Sequence, residues 1–350
     1  MHRAVKSTII LFLLALLPAA CTDKCCEPKP YDYLEVPSEF ATIQMAVDAA
    51  QQGDTILLAP GTYEGEGNFN IEIDSISLTI RSMNGPVTTV IQGDPGWTRT
   101  LTISNCVGPR CALLGLTFSG GRFGIQANDS RLLVRNCVFR EIGFGFAVKL
   151  NASTLDAQNC DFSNDVASVI GIGTIVADRS WLEFRECNFN DDAGLTAVIC
   201  VSRSLCGMSE CLFVNSSGGL GSAVYLSDSR LYLFSSTVWR SMGSMAIYSD
   251  PIGELTISNC IIAESEQAPL YVDSRDSAVI NCCNFYGSGY QDWLDPVSNQ
   301  LGVRGNISVD PKFVDPENGD FRLCPDSPCA PENNDCGVLM GAFPVADNCP

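Results

Sequence analysis

The residues best equipped for chemistry are carboxylates. Asp156 and Glu183 hold the same place in two copies of an internal repeat, Leu155-Asp156-Ala157-Gln158-Asn159-Cys160 and Leu182-Glu183-Phe184-Arg185-Glu186-Cys187. Stacked in register they become neighbours, flanked by Arg135 and Arg185. Asp161, Asp165, Asp191 and Asp192 add acid past the following turn. A carboxylate pair about 5 Å apart suits a retaining glycosidase, and a wider pair an inverting one. The same cluster suits Ca²⁺. The bland alternative is a charge-paired solvated face, which contributes little energy. Asp156, Glu183, Arg185, Asp191 and Asp192 are therefore the catalytic candidates. No residue pattern requires a cofactor, and Ca²⁺ is the ion these groups would take.

Other chemistries are excluded. The chain has one histidine, His2, inside a leader-like segment. Without histidine there is no Ser-His-Asp or Cys-His triad and no His-ligated zinc. Acidic residues number 40 against 21 basic, a formal charge of −19. Nucleic-acid binding needs a basic footprint that this chain lacks.

A second pattern suits recognition. Outward positions of one predicted strand per repeat read Gln126, Lys149, Val176, Ile199, Tyr225, Tyr248 and Tyr271. The three tyrosines should stack as a column on a solvent face, with Tyr232 and Trp239 as further outward aromatics. An apolar-to-aromatic stripe marks a contact surface, and a tyrosine ring offers sugars a flat apolar face with a polar tip. The competing reading is that a loop or the C-terminal tail covers the stripe.

These residues need elements to place them. Strand-turn units recur with Cys137, Cys160, Cys187, Cys211, Ser236, Cys260 and Cys283 as markers, at steps of 23, 27, 24, 25, 24 and 23 residues. A β-rich period near 24 is the signature of a solenoid. Apolar residues alternate up to the marker, as in a strand. The residue before the marker, often Asn, breaks the phase and suits a left-handed turn. Inward-facing marker cysteines should form a ladder of buried small hydrophobes, about 4.8 Å apart. Cys106 and Cys111, around Gly108-Pro109, can clip a loop. The tail has Cys324, Cys329, Cys336 and Cys349 in a coil without strand pattern, where two disulfides are expected and three pairings are open.

The flanks add a resemblance. Phe40–Gln52 has the pattern of an apolar-faced helix, followed by Gly53-Asp54-Thr55-Ile56-Leu57-Leu58-Ala59-Pro60-Gly61-Thr62-Tyr63. This segment resembles the N-terminal cap and first coil of right-handed parallel β-helix proteins of the pectate-lyase-like superfamily. Leu78-Thr79-Ile80-Arg81-Ser82 is similar to an early coil. Ser308-Val309-Asp310-Pro311-Lys312-Phe313 and Gly319-Asp320-Phe321-Arg322-Leu323 resemble the closing segment of secreted bacterial members. The resemblance spans about residues 36–345. It implies an all-β, right-handed parallel β-helix with an N-terminal capping helix and a Cys-rich C-terminal cap. That superfamily holds lyases, hydrolases, adhesins and proteins with no known activity. Asn190-Asp191-Asp192 resembles the polygalacturonase carboxylates, but the Gly-His-Gly and Arg-x-Lys elements of that group are missing.

The N-terminus reads as an address. Arg3 and Lys6 precede the apolar run Ile9–Leu17 and Pro18-Ala19-Ala20, a secretory signal too short to span a bilayer. Cys21 resembles the acylated cysteine of bacterial lipoproteins, with Pro18 where that motif carries Leu. The expected organisation is a signal peptide over 1–20, a tether over 21–35, a β-helix over 36–305 and a capping segment over 306–350. No transmembrane helix follows signal removal. The chain is expected outside the cytoplasm, secreted or lipid-anchored to the bacterial cell envelope. Three functions follow: non-catalytic binding of an extended polysaccharide or cell-surface component, polysaccharide cleavage as a lyase or glycoside hydrolase, and a structural surface spacer.

Overall fold

The computed structural model describes residues 32–349, apart from 95, 97–98, 144, 164–165 and 168–172. The leader, Cys21, most of the tether and Asp165 lie outside the described residues.

Three parallel sheets of 11, 10 and 9 strands wind around one core in about ten coils. Each coil visits the sheets in the same order, as Arg131–Arg135 in sheet 1, Val138–Arg140 in sheet 2 and Phe146–Asn151 in sheet 3 show. Register is one-to-one between coils: Leu132 pairs with Leu155, Phe139 with Phe162 and Val148 with Ile175.

Corners explain why so many repeats share so few sequence rules. Each chain reversal needs one residue in the left-handed region. Between sheets 1 and 2 that residue is Asn136, Asn159, Glu186, Glu210, Ser235, Asn259 or Cys282, with φ between 44° and 57°. Asn accepts this conformation readily, while Glu and Ser pay roughly 1–2 kcal/mol for it. The next residue then points inward. Here stand the marker cysteines, all at most 1% exposed. Each thiol donates to the carbonyl two residues back, for example Cys160 to Gln158 at 3.3 Å and Cys260 to Ser258 at 3.2 Å. Ser236 does the same to Phe234 at 2.8 Å, so hydroxyl and thiol are interchangeable at this corner. Burial pushes the Cys211 thiol up to about 12 and the Cys260 thiol well above its ordinary value. The expected ladder of buried thiols is therefore present.

A second ladder escaped the sequence reading. At the corner from sheet 3 to sheet 1 stand Ser130, Ser153, Ser180, Ser204 and Ser229, all buried. Each hydroxyl donates to the carbonyl two residues back, at 2.6 to 2.8 Å. Each also accepts the amide of its counterpart one coil earlier, as Ser180 accepts from Ser153 at 3.1 Å. Cys106 occupies the same place at the start of this column, its amide donating to Ser130. The Cys106 and Cys111 sulfurs lie 3.2 Å apart as buried thiols.

Phenylalanines two residues past the markers, with Phe118 one coil earlier, stack through the core. Successive ring centroids of Phe118, Phe139, Phe162, Phe189 and Phe213 are 5.0, 4.8, 4.8 and 4.5 Å apart, with planes within 10°.

Both ends are closed. The N-terminal helix is shorter than its apolar pattern suggested, Ile43–Ala49, because Thr42 caps it and Ala50 is already extended. Ile43, Ala46 and Val47 cover the first coil. At the other end Trp293, stacked on Phe285 at 4.5 Å, and Val297 join the core, and a hairpin, Phe313–Asp315 with Asp320–Leu323, folds back over the outer face of sheet 2. Phe321, Leu323 and Met340 bury Leu212, Trp239 and Ile261 there.

The tail disulfides differ from the expected pairing. Cys324 pairs with Cys349, but Cys336 pairs with Cys282, and Cys329 is a buried thiol. Cys282 is the left-handed residue before the marker Cys283. That conformation turns its side chain out of the core while Cys283 turns in. Cys329 instead packs beneath the cap, 3.1 Å from the Asn284 amide nitrogen.

Candidate functional site

The tyrosine column forms on the outer face of sheet 3. Val176, Cys200, Tyr225, Tyr248 and Tyr271 are in register on five successive strands. The sequence reading placed Ile199 in this column. The structure places Ile199 inward and Cys200 outward, because Ile199, not Val198, pairs with Ile175. Tyr225 and Tyr248 stack with centroids 5.9 Å apart, and Tyr248 and Tyr271 at 4.5 Å. The rings are half-buried, and the cap lies over sheet 2 instead.

Stacking decides which ring can take a ligand. Tyr248 spends both faces on its neighbours. Tyr225 spends one on Tyr248, and its other side lines a cavity of about 420 Å³ shared with Val176, Cys200, Leu220, Arg203 and Asp178. The floor is apolar, and the charged edge is an ion pair between Arg203 Nε and Asp178 Oδ1 at 2.9 Å. The Arg203 hydrogen bond holds Asp178 below the usual carboxylate range, with Arg179 adding to it. The Tyr225 hydroxyl donates to Asp250 at 3.1 Å, and burial first, then this carboxylate, raises its pKa. An apolar pocket with a few fixed polar groups is the usual form of a small-ligand site.

The carboxylate candidates lie elsewhere. Asp156 and Glu183 are in-register neighbours on sheet 1, as expected. Their head groups diverge. Asp156 reaches back to Arg110 Nη1 at 2.5 Å, a partner from the loop over 107–110 that the repeat did not announce. Glu183 leans forward over Gly207, where a Cβ would meet Oε2 at 2.5 Å, with Arg185 Nε at 3.7 Å. Arg135 stands in register with Gln158 rather than against either acid.

Asp191 is exposed and left-handed at a corner, its Oδ1 accepting from Asn215 at 2.8 Å. It lines a separate cleft of about 530 Å³ between sheet 2 and the cap. Asp192 is fully buried and out of reach of a polymer. Trp239 is 3% exposed, held against Phe321 and beneath the Arg240 guanidinium, so it is not a contact residue. Tyr232 is half-buried on sheet 1, away from the tyrosine column. Among the described residues no three His, Cys, Asp or Glu side chains converge as a metal site. No helix among them is long and apolar enough to cross a membrane.

Sequence reasoning missed Asp178, Arg203 and Leu220. Asp178 closes the sheet 3 strand Ile175–Asp178, and Arg203 is the left-handed residue just after the strand Ile199–Ser202. Only a correct register for Ile199 and Cys200 would have joined them to Tyr225.

The family comparison agrees with this architecture. Residues 78–238 match the family described as a right handed beta helix region. Among solved structures, the catalytic domain of a GH87 alpha-1,3-glucanase in complex with nigerose is similar at 14% identity and a TM-score of 0.44. That alignment covers 75% of this chain and 61% of the glucanase domain. Pectate lyase Pel9A is similar at 13% identity and 0.49, covering 86% of this chain and 90% of the lyase. Tailspike protein 3 of bacteriophage CBA120 is similar at 10% identity and 0.42, covering 73% and 49%. Identities and scores this low carry no argument about activity. A comparison with curated proteins finds no match.

Proposed function

We propose that this right-handed parallel β-helix binds an extended saccharide, without cleaving it, in the cavity at the Tyr225 end of the tyrosine column. One observation carries this reading. The column ends with a ring whose free side opens on an apolar cavity edged by a fixed Arg203–Asp178 pair. A sugar ring stacked there would continue the tyrosine stack by one member, and the ion pair would meet its hydroxyls. Sheet 3 then offers a polymer a rigid track of strand-spaced contacts. The formal charge of −19 disfavours polyanions and favours a neutral glycan. An address outside the cytoplasm, secreted or anchored to the cell envelope, fits a chain with two disulfides. Asp156 turned to Arg110 and Glu183 turned over Gly207 favour binding over cleavage in this reading.

Isothermal titration with neutral and uronate oligosaccharides tests the reading. One aromatic face is worth about 0.5–1.5 kcal/mol, so Tyr225→Ala should weaken a neutral ligand roughly 2–12-fold, while the fold is kept as read by circular dichroism. Tyr248→Ala, which removes two ring contacts, should instead lower stability. Equal affinity in wild type and Tyr225→Ala would remove the cavity from the account.

A further inference from the structure

The third corner of the coil, from sheet 2 towards sheet 3, has its own polar column. Asp192, Ser216, Ser241, Ser265 and Ser288 each follow a left-handed residue or glycine: Asp191, Asn215, Arg240, Glu264 and Gly287. They keep the repeat's register, each standing five residues after a marker. Backbone pairing holds them in a stack. Ser217 donates to the Asp192 carbonyl, Met242 to Ser216, Glu266 to Ser241 and Gly289 to Ser265, at 2.7 to 3.0 Å.

Their hydroxyls behave unlike those at the other corners. Ser216, Ser241 and Ser265 are 1% exposed, and their Oγ atoms, like the buried Oγ of Ser288, have no protein partner. The Ser130–Ser229 ladder has the same residue type after the same kind of turn, yet every hydroxyl there is doubly bonded. A buried hydroxyl left unpaired costs about 1–3 kcal/mol. Four in register make one continuous debt that a single kind of occupant can settle.

We infer that this corner holds a file of ordered water, one molecule bridging each successive pair of serine hydroxyls from Ser216 to Ser288. Spacing supports the fit. In-register side chains sit about 4.8 Å apart, and two hydrogen bonds of about 2.8 Å span that gap at an angle of roughly 118° at the water. That is close to the angle water prefers. A hydroxyl both donates and accepts, so the bridging ligand must do both, which water does and a metal cation does not. The file would end beside Asp192, giving that fully buried side chain a polar neighbourhood along the axis.

A high-resolution crystal structure of the whole protein tests this directly. Expected is one density peak between Ser216 and Ser241, one between Ser241 and Ser265 and one between Ser265 and Ser288, each within hydrogen-bond distance of both hydroxyls. Hydroxyls rotated onto backbone carbonyls, with nothing between them, would overturn the inference. In solution, deuteron relaxation dispersion counts long-lived internal waters. Ser241→Ala, checked for native circular dichroism, should release about two of them, and an unchanged count would contradict the file. Ser180→Ala, at the saturated corner, is the control and should release none.

Discussion

The phenylalanine stack permits a graded test of how the core is held together. Phe162 lies between Phe139 and Phe189, both with centroids 4.8 Å away and near-parallel planes. Phe118 stands at the end of the stack and has one such neighbour, Phe139, at 5.0 Å. Both are 1% exposed, so the burial lost on truncation is alike. Deleting a buried phenylalanine side chain costs about 3–5 kcal/mol. Each ring contact adds about 0.5–1.5 kcal/mol beyond burial. Phe162→Ala should therefore be the costlier change by about one such contact. Phe189→Ala should equal or exceed it, because Phe189 also meets Phe184 edge-on at 5.7 Å. Equilibrium urea unfolding, read by circular dichroism and tryptophan fluorescence together, measures these differences if the m-value is unchanged. A fall in m would itself report that coils unfold in separate blocks, as neighbour-coupled repeats can. Should Phe118→Ala cost as much as Phe162→Ala at equal m, stacking would not be a cohesive term and burial alone would account for the core.

Other expectations follow from the corners and the thiols. Ser180→Ala leaves the buried Ser153 amide without its acceptor and should cost about 1–3 kcal/mol by chemical denaturation. Glu186 has φ 52°, so Glu186→Gly should raise the urea midpoint, by up to roughly 1 kcal/mol of stability, because only glycine adopts that region without penalty. Burial raises the Cys200 and Cys211 thiols from an ordinary 9.0 to about 12. Their contribution is complete below pH 9 and is lost as pH rises towards 12, since the unfolded chain ionises first. Melting temperature should accordingly fall above pH 9, and less steeply in Cys211→Ser, which Ser236 shows to fit that corner.

Much of this architecture was legible in the sequence because a solenoid repeats its constraints. The marker series gave the inward phase of sheets 1 and 2, and the structure keeps each of those residues in register. The serine ladder was equally legible, since Ser130, Ser153, Ser180, Ser204 and Ser229 each stand seven residues before a marker. It was missed because serine carries no hydrophobic signal. Sheet 3 was harder. The loops leading into it vary in length, so distance from the marker no longer fixes phase, and Ile199 and Cys200 exchanged places. The cap was illegible in a different way. Nothing local in Trp239 says that Phe321, far along the chain, will cover it, or that Cys336 will reach back to Cys282. The candidate site shares both difficulties. Its tyrosines were visible from their spacing, but the cavity that makes Tyr225 differ from Tyr248 depends on loop residues such as Leu220.

The measurement that bears most directly on function is a calorimetric titration of the wild-type protein with neutral oligosaccharides, with the same samples assayed afterwards for new reducing ends and unsaturated uronates. Saturable binding, perturbed tyrosine fluorescence and an intact oligosaccharide are the predicted results. Turnover that disappears in Asp156→Ala or Glu183→Ala, or no binding to any neutral glycan, would contradict the account.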